Sequence, residues 1–268
     1  MARALRPLVE GRRIVRCRVI HPIVVSRGGS RQSRKLAAAQ LEESLRGMRI
    51  RSVERRGKYL ILVLERGAVV LHFRFDGQLI WFDSEETSGH VDVAFETGGG
   101  TLGFVDPRHL GRVQYVGSSE EVPGIRALGV DALSKGFTVA HFAELLVASR
   151  KPVKILLLDQ SKVAGIGNIY SSEALWRARI DPRRPAHRLM AVELRRLHKA
   201  IVDVLQRALE CCLNPAPNFR DPKWRFQGLE RILRVYGREG KSCRRCGQPV
   251  RRFEQGGRST YFCAKCQR

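Results

Sequence analysis

From residue 14 to about residue 116, short stretches in which apolar and polar residues alternate predict β-strands. The stretch IVRCRVI predicts a strand that places Val15, Cys17 and Val19 on one face and two arginines on the other. Two longer stretches, KYLILVLERGAVVLHFRFDGQLIWF and HVDVAFETGGGTLGFVD, carry apolar runs separated by glycine-containing turns and predict hairpins. The first part of the chain is therefore predicted to be a β-rich, sandwich-like domain.

One helix interrupts these strands. Ala37, Leu41, Leu45 and Met48 recur at helical spacing and share a face, and Gly47 is placed to end the helix. The N-terminal domain is thus predicted to contain a helix beside its sheets.

Helical patterns dominate after a segment rich in Gly, Ser and Pro, residues 117–137, which is predicted to be a linker. The clearest helix carries one apolar stripe, formed by Leu194, Leu197, Ile201, Val204, Leu205 and Ala208. Before it, a helix and a loop with two glycines lead to a second helix that opens near Asn168. The free N–H groups at such a helix start favour anions, so this turn is a candidate phosphate site, although a simple tight turn has the same pattern.

Four cysteines near the C-terminus form two C-x-x-C pairs, with sixteen residues between the pairs. This spacing is typical of a tetrahedral structural zinc site, here with the ligands Cys243, Cys246, Cys263 and Cys266. The residues between the pairs predict two short strands joined by a Gly-Gly turn, which places Arg258 at the hairpin tip. Disulfides are the alternative, but they require an oxidising compartment and no secretory signal precedes the domain.

Composition indicates what this hairpin faces. The 268 residues include 49 Lys plus Arg against 26 Asp plus Glu, for a formal net charge of +23. The basic residues are spread through predicted helices and strands, which favours a folded surface that meets a polyanion over a disordered basic tail. No apolar run is long enough to cross a membrane. Nucleic acid is the expected partner.

Several motifs together resemble the formamidopyrimidine-DNA glycosylase and endonuclease VIII family. They are LLDQSKVAGIGNIYSSEALWRARIDP, RVYGREGKSCRRCG, GRSTYFCAKCQ, RSVERRGKYLILVL and DPRHLGR. The resemblance covers nearly the whole chain and is closer to the formamidopyrimidine branch. It implies an α+β protein with an N-terminal β-sandwich, a C-terminal helix-two-turns-helix domain and a zinc ribbon. We expect the β-rich domain at 1–116, the linker at 117–137, the helical domain at 138–238 and the ribbon at 239–268.

The resemblance also implies a function. Members of the family excise oxidised bases from duplex DNA and then cut the strand at the abasic site by β/δ-elimination. We therefore expect a glycosylase and AP lyase of base-excision repair that acts on oxidised purines. The expected partner is duplex DNA with oxidised bases or abasic sites, and the expected cofactor is one structural Zn²⁺ per chain. The protein is expected to be a monomer that works in the cytoplasm at the nucleoid.

Individual site residues can be assigned from the same motifs. Asn168 matches an asparagine that grips phosphate beside the lesion, and Arg258 matches the ribbon arginine that holds the phosphate of the flipped nucleotide. Lys58, in RGKYL, matches a lysine that reaches the scissile phosphate, so Lys58 and Arg258 are the candidate catalytic residues.

Enzymes that act on a base must extrude it from the stack, and another group then fills the gap. The family fills it with a methionine, in a motif that begins with histidine, and with an arginine–phenylalanine pair. Here the motif HFRFDG, which begins at His72, places Phe75 at the methionine position. The motif DPRHLG supplies Arg108 and Leu110. Two of the three wedge residues thus differ from the family pattern, which leaves the lesion and opposite-base preferences open.

The start of the chain departs from the family. The family reaction uses the amine of an N-terminal proline as nucleophile and a neighbouring glutamate for proton transfer, within a Pro-Glu-Leu-Pro-Glu-Val-Glu start. This chain starts MARALRPLVEGRRI, which resembles the family sequence just after that motif, and neither Pro7 nor Glu10 matches the reactive pair. An ordinary lysine such as Lys58 is protonated at neutral pH and is a poor nucleophile. We therefore expect little base excision by this 268-residue polypeptide itself.

Two explanations of this start remain open. Either Met1 is an internal methionine of a longer chain, or the protein is a non-catalytic paralogue that binds damaged DNA. A third hypothesis, an RNA- or ribosome-associated zinc-ribbon protein, explains the charge and the zinc. It does not explain why Lys58, Asn168 and Arg258 all stand in register with the family.

Overall fold

The computed structural model describes residues 1–26, 28–84, 90–213, 218–221 and 229–268, without the side chains of residues 212–213. The region 138–238, predicted to be helical, includes residues 214–217 and 222–228, which lie outside the described residues. The chain divides into two units, and each has its own core. Unit 1 comprises Met1–Arg126 and Ala216–Arg225, and unit 2 comprises Ala127–Pro215 and Phe226–Arg268.

Unit 1 is built on two antiparallel four-stranded sheets. Its strands in chain order are β1 (Ile14–Val19), β2 (Ile50–Arg56), β3 (Tyr59–Leu64), β4 (Ala68–His72), β5 (Gln78–Phe82), β6 (Val93–Thr97), β7 (Gly100–Val105) and β8 (Arg112–Val116). One sheet has the order β1-β6-β7-β5 and the other β2-β3-β4-β8. Apolar side chains from both sheets, such as Phe95 and Phe104 from one and Leu62 and Leu71 from the other, pack in one cluster. The predicted sandwich is confirmed.

The hairpins form at the predicted turns. Strands β3 and β4 pair in antiparallel register, and the Leu64 N–H donates to the Gly67 carbonyl at 3.0 Å. Gly67 has a φ of 68°, in the region where a side chain is strained, so glycine suits this turn. Strands β6 and β7 form the second predicted hairpin.

The predicted alternation in β1 is wrong at Val15. The pairing of β1 with β6 is irregular between Ile14 and Arg16, as at a β-bulge. An extra residue at a bulge shifts the alternation of faces. Ile14 and Cys17 are consequently both buried, whereas Val15 is 57% exposed.

Two helices pack against the sheets of unit 1, and shorter helical segments accompany them. The two helices are α1 (Ala2–Val9) and α2 (Arg31–Leu45), and the shorter segments are α3 (Pro123–Arg126) and 3₁₀ turns at Pro22–Val24 and Ser119–Glu121. The Ser30 hydroxyl accepts from the Ser33 N–H and caps the start of α2. Leu41 and Leu45 are buried as predicted, and Gly47 comes just after the helix with a φ of 74°.

Unit 2 is mainly helical. Its helices are α4 (Val139–Val147), α5 (Val153–Leu158), α6 (Asn168–Ala178), α7 (Ala191–Leu213) and α8 (Leu229–Ile232), with a 3₁₀ turn at Ala186–Arg188. All members of the apolar stripe predicted on α7 are buried. The short strands β9 (Val130–Asp131) and β10 (Val163–Ala164) pair in parallel, so β9 lies inside the segment predicted to be a linker. None of the described helices combines the length and apolar character that a membrane crossing requires.

A hairpin forms the end of unit 2. It consists of β11 (Arg251–Gln255) and β12 (Arg258–Phe262), which pair antiparallel from Gln255↔Arg258 at the turn to Arg251↔Phe262 at the open end. Gly256 and Gly257 both have positive φ, 58° and 68°, as the predicted Gly-Gly turn requires.

Candidate functional site

The four predicted metal ligands converge beside this hairpin. One sulfur from each of Cys243, Cys246, Cys263 and Cys266 lies within 4.8 Å of the other three. The Cys243 and Cys266 sulfurs are 4.0 Å apart, and those of Cys246 and Cys263 are 3.5 Å apart. A tetrahedral zinc with bonds of about 2.3 Å requires sulfur separations of about 3.8 Å. The cluster therefore fits one structural zinc, as the spacing predicted.

Helix α6 contacts the zinc centre through Trp176. The indole N–H of Trp176 donates to the Cys243 sulfur at 3.4 Å. The Arg245 guanidinium lies 4.1 Å from the centre of the Trp176 ring and donates to the Trp176 carbonyl at 3.0 Å. Metal centre, hairpin and α6 thus belong to one packed assembly within unit 2.

A buried carboxylate orders the chain that leads into the ribbon. Glu173, on α6, accepts hydrogen bonds from the backbone N–H groups of Arg234, Val235 and Tyr236 at 2.8–2.9 Å. Burial raises the pKa of Glu173, although these hydrogen bonds act in the opposite direction. Helix α6 therefore fixes both the entry to the ribbon and its metal centre.

The carbonyl of Ser259 connects the ribbon to two helices. Asn168, the first residue of α6, donates to it from Nδ2 at 3.0 Å, and Lys154 of α5 donates from Nζ at 3.1 Å. Lys154 also donates to the Thr260 hydroxyl at 2.7 Å. These bonds fix the start of β12, where Arg258 stands exposed next to Ser259. The structure therefore brings Asn168 and Arg258 to one place.

The start of α6 also suits this place to an anion. Among the described residues no side chain caps it. The first N–H groups of a helix have no partner within the helix and carry a partial positive charge. We use the name ribbon–helix site for the start of α6 together with the side chains of Lys154, Asn168 and Arg258.

Lys154 is a member of this site that the sequence analysis missed. Its side chain is fully buried, and burial, with repulsion from Arg258, lowers its pKa to about 8. Burial of a lysine destabilises the fold unless its ammonium group is paired or hydrogen-bonded. The available signal was a single lysine inside the otherwise apolar helix VKILLL.

In unit 1, Lys58 lies close to His72. Lys58 is half-buried in the turn between β2 and β3, and its neighbour Tyr59 pairs with His72 across the sheet. Burial lowers the pKa of His72 to about 4, and the charges of Arg74 and Lys58 add to this effect. The His72 ring is therefore neutral near pH 7, and its Nδ1 accepts from the Arg74 N–H at 3.1 Å.

The candidate wedge residues also lie together in unit 1. Phe75 is 59% exposed, and the Arg108 guanidinium lies 5.1 Å from the centre of its ring. Arg108 also forms an ion pair with Asp76 at 3.3 Å. Leu110 is half-buried in the same turn as Arg108, and the Asp106 carboxylate accepts from the Arg108 N–H at 3.2 Å. The side chains of Phe75 and Arg108 are thus in contact, and the Asp106 carboxylate holds the turn that carries Arg108.

Three family models match the chain and together span most of it. The formamidopyrimidine-DNA glycosylase N-terminal domain matches residues 1–113, and the H2TH domain of the same enzymes matches residues 128–214. A zinc finger found in formamidopyrimidine-DNA glycosylase and isoleucyl-tRNA synthetase matches residues 240–268.

Curated relatives agree with these models. A formamidopyrimidine-DNA glycosylase of Thermus thermophilus is 41% identical over 270 residues, which cover 99% of this chain and 94% of the relative. One from Aromatoleum aromaticum is 37% identical and covers 99% of this chain and 96% of the relative.

Solved structures agree as well. The Thermus thermophilus enzyme superposes with a TM-score of 0.83 at 36% identity, covering 99% of this chain and 95% of that one. The Lactococcus lactis enzyme, solved with DNA that contains an abasic site, superposes with a TM-score of 0.87 at 28% identity, covering 99% and 96%. On these matches and on its fold, the chain belongs to the formamidopyrimidine-DNA glycosylase family.

Proposed function

We propose that this chain is a DNA glycosylase and AP lyase of base-excision repair that removes oxidised purines from duplex DNA. Its family supports this function, and so do structures of the Lactococcus lactis relative with DNA that contains an abasic site or an N7-benzyl-Fapy-dG lesion. The net charge of +23 suits a protein that works on a polyanion.

The ribbon–helix site is the observation that carries the proposal. Its lysine and its asparagine donate to the same Ser259 carbonyl, and this arrangement fixes the strand whose first residue is Arg258. A guanidinium, a helix N-terminus and an amide in one place are suited to holding a phosphate. We infer that Asn168 and Arg258 bind the DNA backbone at the damaged nucleotide.

Unit 1 carries further residues to which we assign roles in DNA binding. We assign Lys58 to the scissile phosphate, where its ammonium group would offset charge that develops during strand cleavage. Phe75, Arg108 and Leu110 would enter the gap that the extruded base leaves in the stack. The neutral His72 supports the backbone of the turn that carries Phe75, because its Nδ1 accepts from the Arg74 N–H.

The chemical step requires an amine that attacks the sugar C1′, so that the base leaves and an imine forms. The imine then acts as an electron sink for the eliminations that cut the strand. In the family this amine belongs to an N-terminal proline, which has no match among the 268 residues. The function is therefore best tested with two forms of the protein.

The experiment is a strand-incision assay on an end-labelled duplex with one oxidised purine. One form is the 268-residue chain, and the other carries Pro-Glu-Leu-Pro-Glu-Val-Glu-Thr ahead of Met1. The extended form should cut the lesion strand at the damaged position and leave the undamaged duplex intact, whereas the shorter form should cut much more slowly. If neither form cuts but both prefer damaged duplex, the protein is a damaged-DNA binder and the proposed reaction is wrong.

The wedge yields a separate prediction. Phe75→Ala should lower the affinity for a duplex with an abasic-site analogue, because the loss of one stacking aromatic costs about 1–3 kcal/mol. Affinity for undamaged duplex should change little, since no gap needs filling there. Leu36→Ala is the matched control, because Leu36 is 61% exposed in the same unit and lies on α2 rather than on a wedge turn. Equal losses in the two variants, measured by fluorescence anisotropy, would contradict the assigned role.

The expected cellular location depends on the expected substrate. A repair enzyme of duplex DNA meets its substrate at the nucleoid, and we propose that the protein acts there, in the cytoplasm, as a monomer.

A further inference from the structure

Three histidines of unit 1 converge on one aspartate. His21 Nδ1 lies 3.2 Å from Asp92 Oδ1, His109 Nδ1 lies 2.5 Å from it, and His90 Nε2 lies 3.9 Å from it. The rings are mutually close, with centroids 4.6–5.0 Å apart. Three of the chain's 7 histidines thus surround one carboxylate oxygen.

The aspartate is positioned for this arrangement. Asp92 is fully buried, and its Oδ2 accepts from the Asp106 N–H at 2.6 Å. Its backbone carbonyl accepts from the N–H groups of Ile20 and His21, which ties the loop after β1 to β6. With Oδ2 engaged, Oδ1 is the atom that the imidazoles face.

A simple ion pair does not account for the cluster. One imidazole, that of His109, already lies at hydrogen-bond distance from Asp92 Oδ1. The His21 Nδ1 atom is nevertheless buried and has no hydrogen-bond partner in the described part of the chain, although it lies 3.2 Å from the carboxylate. Buried polar atoms in native proteins are nearly always satisfied, and an ion between His21 Nδ1 and Asp92 Oδ1 would satisfy this one.

The dimensions suit a transition-metal ion. One ligand atom from each of the four residues lies within 4.8 Å of the other three. Tetrahedral zinc with nitrogen and oxygen ligands at about 2.0–2.2 Å requires ligand separations of about 3.3–3.6 Å. The separations from Asp92 Oδ1, 2.5–3.9 Å, bracket that range. Imidazole and carboxylate ligands suit Zn²⁺ and its transition-metal neighbours.

We propose that His21, His90, Asp92 and His109 form a second metal site, which takes a divalent transition-metal ion such as Zn²⁺. The site is separate from the four-cysteine centre, which lies in the other unit. It uses only nitrogen and oxygen ligands, so it differs chemically from the thiolate centre. Metal binding here does not depend on the proposed glycosylase activity.

A metal ion at this site would order the turn that carries Arg108 and Leu110. His109 stands between Arg108 and Leu110 and adopts a φ of 49°, which is uncommon for a residue with a side chain. Its N–H donates to the Asp106 carbonyl at 2.8 Å, and Asp106 in turn is held by Asp92. A metal bound to His109 and Asp92 would hold this turn both through the His109 side chain and through the hydrogen bond from the Asp106 N–H to Asp92. We therefore assign the ion a structural, positioning role.

The test is metal analysis of the full 268-residue chain, prepared without a histidine tag, equilibrated with Zn²⁺ and passed over a desalting column. Wild-type protein should retain two zinc ions per chain. His21→Gln/His90→Gln should retain one, and His141→Ala, which changes a half-buried histidine of unit 2, should retain two. One zinc per chain in all three proteins would overturn the proposal.

Cobalt titration of the wild-type protein tests the site without relying on a variant that could misfold. With Co²⁺ added to the wild-type apoprotein, one equivalent should give the thiolate-to-metal charge-transfer absorption of the cysteine centre. A second equivalent should give visible d–d absorption without further charge transfer, and the double variant should show only the first. If Co²⁺ beyond one equivalent adds no spectrum in the wild type, the histidine cluster is an ion pair and not a metal site.

Discussion

Replacement of Cys263 by serine is expected to abolish the selective binding of damaged duplex DNA by releasing the zinc from the ribbon. The hairpin β11–β12 is too small to hold itself, and zinc binding supplies about 10–16 kcal/mol of folding free energy in isolated finger peptides. Without the metal, the strand that begins with Arg258 has no fixed position. The ribbon–helix site then loses its guanidinium, and Lys154 and Asn168 lose their shared acceptor.

This prediction is checked by zinc content and by the anisotropy of a labelled duplex with an abasic-site analogue. Cys263→Ser should lose one equivalent of zinc and bind damaged and undamaged duplex equally weakly. Cys211→Ser is the control, since this thiol lies on α7 outside the metal centre, and it should behave as wild type. Damage-specific binding that survives the loss of the ribbon zinc would contradict the assigned role of the ribbon.

Arg258→Ala is expected to weaken the binding of damaged duplex by about 10- to 100-fold, because hydrogen bonds to charged groups contribute about 1.5–3 kcal/mol. The slope of log affinity against log salt should become shallower by about 0.9, because one phosphate of the duplex is no longer neutralised. Arg251→Ala is the matched control. Arg251 is exposed on the same hairpin at the end away from the turn, and its substitution should change affinity little.

Asn168→Ala should act at the same place as Arg258→Ala. Asn168 donates to the carbonyl of Ser259, the residue directly after Arg258, so the two side chains share one structural element. The double variant should therefore lose less affinity than the sum of the single losses, because residues within one network are not energetically independent. If Arg251→Ala and Arg258→Ala reduce affinity equally, or if the two site substitutions are strictly additive, the ribbon–helix site is not a single phosphate site.

The parts of the fold that the sequence predicted well depend on local patterns. The apolar stripe of α7, the hairpin turn at Gly67 and the spacing of the four cysteines each lie within a short stretch, and the structure confirms all three. The alternation in β1 failed at Val15, because a bulge depends on pairing with β6, far along the chain. Periodicity carries no information about such an irregularity.

The parts of the site that the sequence did not predict depend on tertiary contacts. Lys154 and Ser259 are joined by a hydrogen bond across 105 positions of the chain. The histidine cluster likewise draws on three separate segments, with His21 after β1, His90 before β6 and His109 after β7. Asn168 and Arg258 could be proposed from the sequence because each sits in a motif that resembles a known family. Isolated residues such as Lys154 have no such motif, so only the folded chain shows what they contact.

The most direct test of the central claim is covalent trapping with borohydride on a duplex that contains one oxidised purine. Excision through an amine passes through an imine, which borohydride reduces to a stable protein–DNA bond. The form with Pro-Glu-Leu-Pro-Glu-Val-Glu-Thr ahead of Met1 should be trapped on the lesion strand and not on undamaged duplex. Its Arg258→Ala variant should be trapped far less, and its Arg251→Ala variant as well as the parent. An absence of any trapped complex with the extended form, under conditions in which it binds the lesion duplex, would contradict the assignment of glycosylase and lyase activity.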